Sequence, residues 1–181
     1  MTFARLDDWQ SKHRISLGIA TDHGGLAGKT VILQHLASRP DLDLRDLGPH
    51  ELDPEDDYPD YAAVLAREIA SGDADAGILV CRSGIGMSIM ANRFPGIRAA
   101  LVNSVRAARL SRTHNAANVL VVGSEACAES DILEMVDTWL DTAFSQEERH
   151  IRRIDKIERE TDAILATGRA EAATAQNPNQ T

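Results

Sequence analysis

The sequence predicts an α/β fold in which helices cover both faces of a five-stranded parallel sheet. Short apolar runs alternate with helical repeats along the 181 residues, which is typical of strand–helix–strand units. The central run, residues 78–80, is apolar throughout, as in a strand buried on both faces. Glycine and polar residues follow the first and central strands, where open α/β sheets bind ligands. We therefore expect one three-layer α/β/α, Rossmann-like domain with an extended C-terminal helix.

The first half of the chain contains two strands and two helices. Residues 15–20 form an apolar run that predicts the first strand. Leucines at helical spacing predict a helix over residues 25–37, which an Arg-Pro pair ends. A second strand is predicted at residues 42–47 and is followed by an acidic loop. A Tyr-Pro pair then begins the next helix, residues 58–71, because proline is favoured in a first turn and a glycine follows at the end.

The second half continues the same alternation and ends in a long helix. Apolar periodicity predicts the next strands and helices at residues 78–80, 86–93, 97–102, 104–112, 119–122 and 132–143. Residues 146–167 carry apolar side chains three or four positions apart, and Gly168 is the expected stop. So narrow a stripe suits docking on another surface, such as a second subunit. We expect residues 1–13 to be an N-terminal extension, 14–168 the domain, and 169–181 a disordered tail with little to bury.

Composition limits the partners of this protein. A formal net charge of −9 and a pI near 5.1 argue against nucleic acid and membrane surfaces as partners, although a local basic pocket for an anion remains open. The chain has two cysteines, no signal-peptide pattern and no apolar run of about 18 residues, so we expect a cytoplasmic protein with reduced thiols.

No cofactor is expected from the motifs. The first turn has no G-x-G-x-x-G, which argues against a dinucleotide. No H-E-x-x-H, C-x-x-C or clustered histidine spacing indicates a metal ion, and the histidines occur singly.

The turn after the central strand is the best candidate for chemistry. Cys81 ends an apolar strand, and Gly84 and Gly86 let backbone N–H groups approach an anion closely. A helix beginning near Gly86 would also stabilise a thiolate on Cys81. A strand followed by G-x-G is a weak motif, however, and a buried cysteine is more often a small packing residue. The turn by itself is therefore compatible with either a catalytic thiol or a cysteine that only packs in the core.

Four segments in the same order resemble the ribose-5-phosphate isomerase B family, which includes the galactose-6-phosphate isomerase subunits. They span roughly residues 15–158 and are much more specific together than any one motif. The segments are T-D-H-G-G (21–25), C-R-S-G-I-G-M-S-I-M-A-N-R-F-P-G-I-R-A-A (81–100), A-R-L-S-R-T-H-N-A-A-N-V-L (108–120) and R-H-I-R-R-I-D-K-I (149–157). The resemblance implies aldose–ketose isomerisation of a sugar phosphate through a cis-enediolate without a metal, most simply ribose 5-phosphate to ribulose 5-phosphate.

The resemblance also assigns roles to the residues that match. Cys81 is then the base that takes the carbon-bound proton, Ser83 handles protons on the sugar oxygens, and His114 opens the ring. The expected substrate-binding residues are Asp22, His23, Tyr58, Arg82, Gly84, Ile85, Gly86, Asn115, Arg149 and Arg153, with the two last arginines on the phosphate. Structural roles remain open alternatives: an inert thiol for Cys81, turn or cap hydrogen bonds for Ser83 and Asp22, an exposed loop position for His23, and packing for Tyr58.

Two segments depart from the family pattern. Arg82 stands where the family has glycine, and Asn103-Ser104-Val105-Arg106 replaces histidine-aspartate-proline-tyrosine. Arg82 could shorten the pocket, add a charge contact or turn to solvent. Another tetrose, pentose or hexose phosphate, or sugar-phosphate binding without turnover, therefore remain alternatives. Met87 stands where a variant of the family has a glutamate base, which favours the cysteine.

The order of elements predicts a site shared between subunits. Asp22, Cys81 and Ser83 follow the carboxyl ends of strands, whereas His114 precedes the fifth strand and lies at the opposite edge of the sheet. A two-fold dimer could join the two edges and give two equivalent sites. We therefore expect a homodimer or a dimer of dimers.

Overall fold

The computed structural model describes residues 9–175. Five parallel strands form one sheet in the order β2-β1-β3-β5-β4. The strands are β1 (Ile15–Thr21), β2 (Leu42–Asp46), β3 (Ala76–Cys81), β4 (Ala99–Leu101) and β5 (Val119–Gly123). The helices are α1 (Leu26–Leu36), α2 (Tyr58–Ser71), α3 (Ile85–Ala91), α4 (Val105–Asn115), α5 (Glu129–Asp141) and α6 (Glu148–Ala175). The predicted three-layer α/β/α sandwich with a five-stranded parallel sheet is confirmed.

Two apolar clusters, one on each face of the sheet, form the core. Side chains of α1, α4 and α5 pack on one face, around Leu17, Ile19 and Trp139. Side chains of α2 and α3 pack on the other, around Leu65, Leu79 and Met87. All six residues of β3 are buried, because this strand is central and covered on both faces. The predicted apolar run thus forms the middle of the molecule.

Local signals in the sequence place most helix ends. Gly72 ends α2 in the left-handed conformation, with φ of 86°, as a C-terminal glycine favours. Ser104 caps α4 by accepting a hydrogen bond from the Ala107 N–H. Strand β4 is shorter than the predicted residues 97–102, and α4 runs three residues beyond the predicted end.

One expectation about the ends of the chain needs correction. Helix α6 continues through Gly168 to Ala175, so residues 169–175 are helical rather than disordered. One glycine weakens a helix by only about 1 kcal/mol, and the alanine-rich segment that follows favours continuation. At the other end, Trp9 of the expected N-terminal extension packs against Trp139 and is buried at 4% exposure. The rest of the predicted extension and tail, residues 1–8 and 176–181, lies outside the described residues.

Within residues 9–175, no helix is both long and apolar enough to cross a membrane.

The sheet has its topological switch point between β1 and β3. The chain passes from β1 to β2 on one side and then crosses to β3 on the other side of β1. Ligands of open α/β sheets bind at the carboxyl ends of the strands beside such a point. Cys81 and the turn beginning at Asp22 both lie there, since Thr21 pairs with Val80 in the register of the two strands.

Candidate active site

Cys81 is the buried end of the central strand. Its side chain is 6% exposed and packs with the apolar cluster under α2 and α3. The Gly84 N–H donates a hydrogen bond to Cys81 Sγ at 3.0 Å. Cys81 therefore lies at the floor of the turn, with a backbone donor directed at its sulfur.

The turn after Cys81 requires its first glycine. Gly84 has φ of 76°, and a Cβ there would lie 2.4 Å from Leu101 Cδ1. A larger residue would meet both backbone strain and a clash. Ser83 is exposed at the tip of the turn, and its Oγ accepts a hydrogen bond from the Ile85 N–H at 3.3 Å. Two backbone donors of the turn are thus already aligned with Cys81 and Ser83.

Tyr58 closes one side of this turn. A Cβ at Gly86 would come within 2.6 Å of Tyr58 Cε2 and Cζ, so the ring lies directly against the Gly86 backbone. The side chain stays 41% exposed at the start of α2. The packing role and a place beside a ligand are therefore both compatible with its position.

Asp22 and His23 reach the same edge from β1. Asp22 is 8% exposed and accepts a hydrogen bond from the Gly25 N–H at 3.1 Å, which caps the short 3-10 turn His23–Gly25. His23 follows it, with its ring one quarter exposed. The N-cap alternative for Asp22 is observed, and it leaves the second carboxylate oxygen for a ligand.

Arg82 leaves the turn in a different direction from Cys81. Its aliphatic stem lies against Gly24, where a Cβ would be 2.6 Å from Arg82 Cγ. Its Nε lies 3.8 Å from Glu125 Oε1, with both side chains more than 60% exposed. Arg82 therefore makes a weak charge contact at the rim of the crevice and does not cover the thiol.

The remaining predicted residues form a second group at the other edge of the sheet. His114 and Asn115 end α4 and are exposed, and the His114 ring stacks on His150 of α6 at a centroid distance of 4.3 Å. Arg149 and Arg153 lie one turn apart on α6, both exposed, with Arg149 Nε 2.8 Å from Glu147 Oε2. This basic surface is a suitable place for a phosphate.

His150 is a member of this second group that sequence reasoning passed over. It is 2% exposed, and its Nδ1 lies 2.8 Å from Ser145 Oγ. Burial of the ring and the neighbouring His114 lower the pKa of His150, so the ring stays uncharged near neutral pH. Only its place in the R-H-I-R-R segment could have pointed to it.

One chain does not bring the two groups together. Val119 at the start of β5 pairs with Gly77, and Cys81 lies four residues further along β3. At about 3.3 Å per residue, Cys81 is about 13 Å beyond the level of Val119, and His114 precedes Val119 by five more residues. The Cys81 group and the His114 group are therefore at opposite ends of the sheet.

The fold and these two groups agree with an α/β sugar-phosphate isomerase. The model of the Ribose/Galactose Isomerase family matches residues 17–157. A probable ribose-5-phosphate isomerase B of Mycoplasma genitalium is 43% identical over 148 residues, which are 80% of this chain and 96% of the relative. The chain belongs to the ribose/galactose isomerase family.

Solved structures show the same likeness. The ribose-5-phosphate isomerase B of Clostridium thermocellum matches with a TM-score of 0.79 and 39% identity, over 83% of this chain and 99% of that one. The ribose-5-phosphate isomerase B of Mycoplasma genitalium, solved with bound ribulose 5-phosphate, matches with a TM-score of 0.77 and 41% identity, over 81% and 96%. The resemblance found in the four sequence segments is confirmed.

Proposed function

We propose that this protein interconverts ribose 5-phosphate and ribulose 5-phosphate without a metal ion. The observation that carries the proposal is the Cys81 thiol, buried at the carboxyl end of the central strand with the Gly84 N–H directed at its sulfur. Relatives that match over most of their length are ribose-5-phosphate isomerases B, one of them solved with ribulose 5-phosphate bound. The family and the thiol together favour this reaction.

The turn can supply the proton transfers of the isomerisation. Cys81 as thiolate takes the proton from C2 of the open-chain aldose, which gives a cis-enediolate, and returns a proton to C1. The Ser83 hydroxyl, exposed beside it, moves a proton between the two neighbouring oxygens. The Gly84 and Ile85 N–H groups already point at Cys81 Sγ and Ser83 Oγ, so the Gly86 N–H is the donor of this turn that would face the oxygen on which negative charge develops, as in an oxyanion hole. The substrate is neither oxidised nor reduced overall.

Ring opening and phosphate binding are assigned to the second group of residues. His114 transfers the proton that opens the sugar ring, and Asn115 contacts a hydroxyl. Arg149 and Arg153 bind the phosphate, since both guanidinium groups are exposed on one side of α6. Because this group lies at the far end of the sheet, the partner subunit of a two-fold dimer supplies it.

The position of Arg82 does not support the alternative of a protein that binds a sugar phosphate without turnover. That alternative depended on a guanidinium placed over the thiol, whereas the Arg82 stem lies against Gly24 and its head is near Glu125. Arg82 is instead positioned to contact a substrate atom at the rim of the crevice. The Arg82 guanidinium is an additional cation near the substrate, and it favours the alternative that the substrate is a sugar phosphate with a different number of carbon atoms.

An isomerisation screen tests the proposal directly. Ribose 5-phosphate, erythrose 4-phosphate and several aldohexose 6-phosphates are compared by kcat/KM, with protein treated with a chelator. We expect the highest value for ribose 5-phosphate and no loss after chelation. A higher kcat/KM on another sugar phosphate would change the proposed substrate and leave the proposed reaction unchanged. Binding of every sugar phosphate without turnover would refute the enzyme.

A further inference from the structure

The carboxylate of Asp56 holds His23 by three hydrogen-bond contacts. The His23 N–H lies 3.1 and 3.0 Å from the two oxygens, and His23 Nδ1 lies 2.6 Å from Oδ1. The Asp56 side chain is only 6% exposed, although it belongs to the acidic loop between β2 and α2. Asp56 therefore holds the histidine of the first turn, which lies 33 positions earlier in the sequence.

The loop that presents Asp56 is itself anchored. The ammonium of the buried Lys29 on α1 donates to Asp46 and to the carbonyl of Pro49, at 2.7 Å for the latter. The Thr21 N–H donates to the Gly48 carbonyl at 3.1 Å. These contacts tie the start of the loop to β1 and α1.

Tyr61 fixes the other end of the loop, because its hydroxyl hydrogen-bonds to the Asp56 carboxylate. Burial and that carboxylate raise the pKa of Tyr61, so the phenol stays protonated and remains a donor. The Asp56 carboxylate is thus held between His23 and Tyr61.

An ionised carboxylate can only accept hydrogen bonds, so the contact with Asp56 selects between the two tautomers of a neutral His23 ring. In the neutral ring Nδ1 must carry the hydrogen that is donated to Asp56, and Nε2 then carries the lone pair. Nε2 is on the far side of the ring from Asp56, and it has no hydrogen-bond partner among residues 9–175. The ring is one quarter exposed at the edge where Cys81 ends β3.

We propose that Asp56 is a positioning residue that sets the Nδ1–H tautomer of His23 and turns its Nε2 to the substrate as an acceptor. The inference rests on the proposed isomerase function for its kinetic consequence. Nε2 accepts a hydrogen bond from a sugar hydroxyl in the crevice. His23 then selects a polyol phosphate by hydroxyl recognition in addition to the phosphate contacts of the other group.

The tautomer is measured first in the ligand-free protein. Long-range proton–nitrogen NMR at mildly alkaline pH, with the His23 signals assigned by their loss in His23→Gln, distinguishes Nδ1–H from Nε2–H. We expect Nδ1–H in the wild type. In Asp56→Asn we expect a shift toward Nε2–H, because the amide group can donate to Nδ1. A wild-type ring in the Nε2–H or doubly protonated form would overturn the proposal, whether or not any variant folds.

The kinetic arm uses a double-mutant cycle on ribose 5-phosphate. Asp56→Asn should lower kcat/KM by about 10–100-fold, as loss of a carboxylate that orients a functional histidine commonly does. The same change made in His23→Gln should have little further effect, because Asp56 acts through the ring. Glu55→Gln is the matched control: it removes the same charge from an exposed neighbour in the loop and should behave as the wild type.

The two arms separate failure of this inference from failure of the isomerase proposal. If the wild type isomerises no sugar phosphate while the NMR result is as expected, the isomerase proposal fails and the Asp56–His23 arrangement stands. If the wild type is active but Asp56→Asn is equally harmful in the His23→Gln background, Asp56 acts on the loop and not through His23, and the inference is refuted.

Discussion

At the scale of single residues, the two cysteines occupy very different surroundings. Cys81 is buried and accepts the Gly84 N–H at 3.0 Å. Cys127 is half-buried after β5, and its Sγ lies 3.8 Å from the Asn103 carbonyl. Cys81 accepts a backbone N–H at the end of the central strand, whereas Cys127 lies near a carbonyl oxygen, so the chemistry proposed for Cys81 should not transfer to Cys127.

The first prediction concerns these thiols. Cys81→Ala should lower kcat for ribose 5-phosphate by about 10²–10⁴-fold, because the proposed general base is lost. Its melting temperature should stay close to that of the wild type, since a small side chain is replaced by a slightly smaller one. Cys127→Ala is the control and should leave kcat unchanged. Near-normal turnover in Cys81→Ala would remove this thiol from the mechanism.

The second prediction concerns the phosphate. Arg149→Ala and Arg153→Ala should each weaken substrate binding, because each removes a charge-assisted contact of about 1.5–3 kcal/mol, or about ten- to a hundredfold in affinity. Arg152→Ala is the matched control, since Arg152 is exposed on the same helix but faces away from the pair. Calorimetric titration with a sugar phosphate measures all three. Unchanged affinity in both variants would move the phosphate site elsewhere, with Arg82 the next candidate.

At the scale of elements, the sequence predicts what local physics determines. The ends of α2 and α4 were predictable to within a few residues because Gly72 and Ser104 are strong local signals. The turn from Cys81 to Gly86 was predictable from the spacing of its glycines. Helix α6 was harder, because the low intrinsic cost of Gly168 competes with the helix propensity of the alanines after it.

Long-range partners could not be predicted from the sequence. The acidic loop carries five carboxylates, and nothing in their order singles out Asp56 as the one that binds His23. Lys29 is only 2% exposed because Asp46 and Pro49 satisfy its ammonium group, and nothing in the sequence identifies these two partners. Such contacts depend on how the elements pack, which apolar periodicity does not record.

The third prediction tests the N-terminal element. Trp9 packs edge-on against Trp139 at 4.7 Å, and the Arg112 guanidinium lies 4.4 Å from its ring centre. Trp9→Ala should lower the free energy of unfolding by about 3–5 kcal/mol, because a large buried side chain is lost. Trp9→Phe should cost much less, since the Trp9 indole N–H has no hydrogen-bond partner in the described chain. Chemical denaturation measures the free energy of unfolding of both variants. An equal loss in Trp9→Phe and Trp9→Ala would contradict the expectation that a buried aromatic ring supplies most of the stabilisation at this position.

At the scale of the whole molecule, helix α6 has a divided role. Ile154 is buried against Ala116 and Phe144 of the same chain, whereas Ile157 and Ile164 are 51% and 71% exposed. The narrow stripe expected to dock on a second subunit therefore packs partly on its own domain. The exposed remainder is still available for an interface.

A second exposed apolar surface lies beside the candidate active site. Ile85 and Ile89 on α3 are each 54% exposed, and Leu101 on the edge strand β4 is 43% exposed. Leu101 also lies against Gly84 of the turn after β3. An interface formed here would bring a second subunit next to Cys81, as the proposed shared site requires.

The last prediction tests the shared site by mixing inactive subunits. Cys81→Ala and His114→Ala proteins each lack one half of every site. In an equal mixture with free exchange, half of the dimers are heterodimers, and each has one site with both halves intact. About a quarter of wild-type activity should therefore return.

The matched control mixes Cys81→Ala with Ser83→Ala. Both changes lie in the same turn, so neither subunit can repair the other's site and no activity should return. Exchange is followed separately with subunits that carry different labels. If exchange is complete and the Cys81→Ala and His114→Ala mixture stays inactive, His114 does not complete the site of a partner, and the 13 Å separation along the sheet would then remove it from the mechanism.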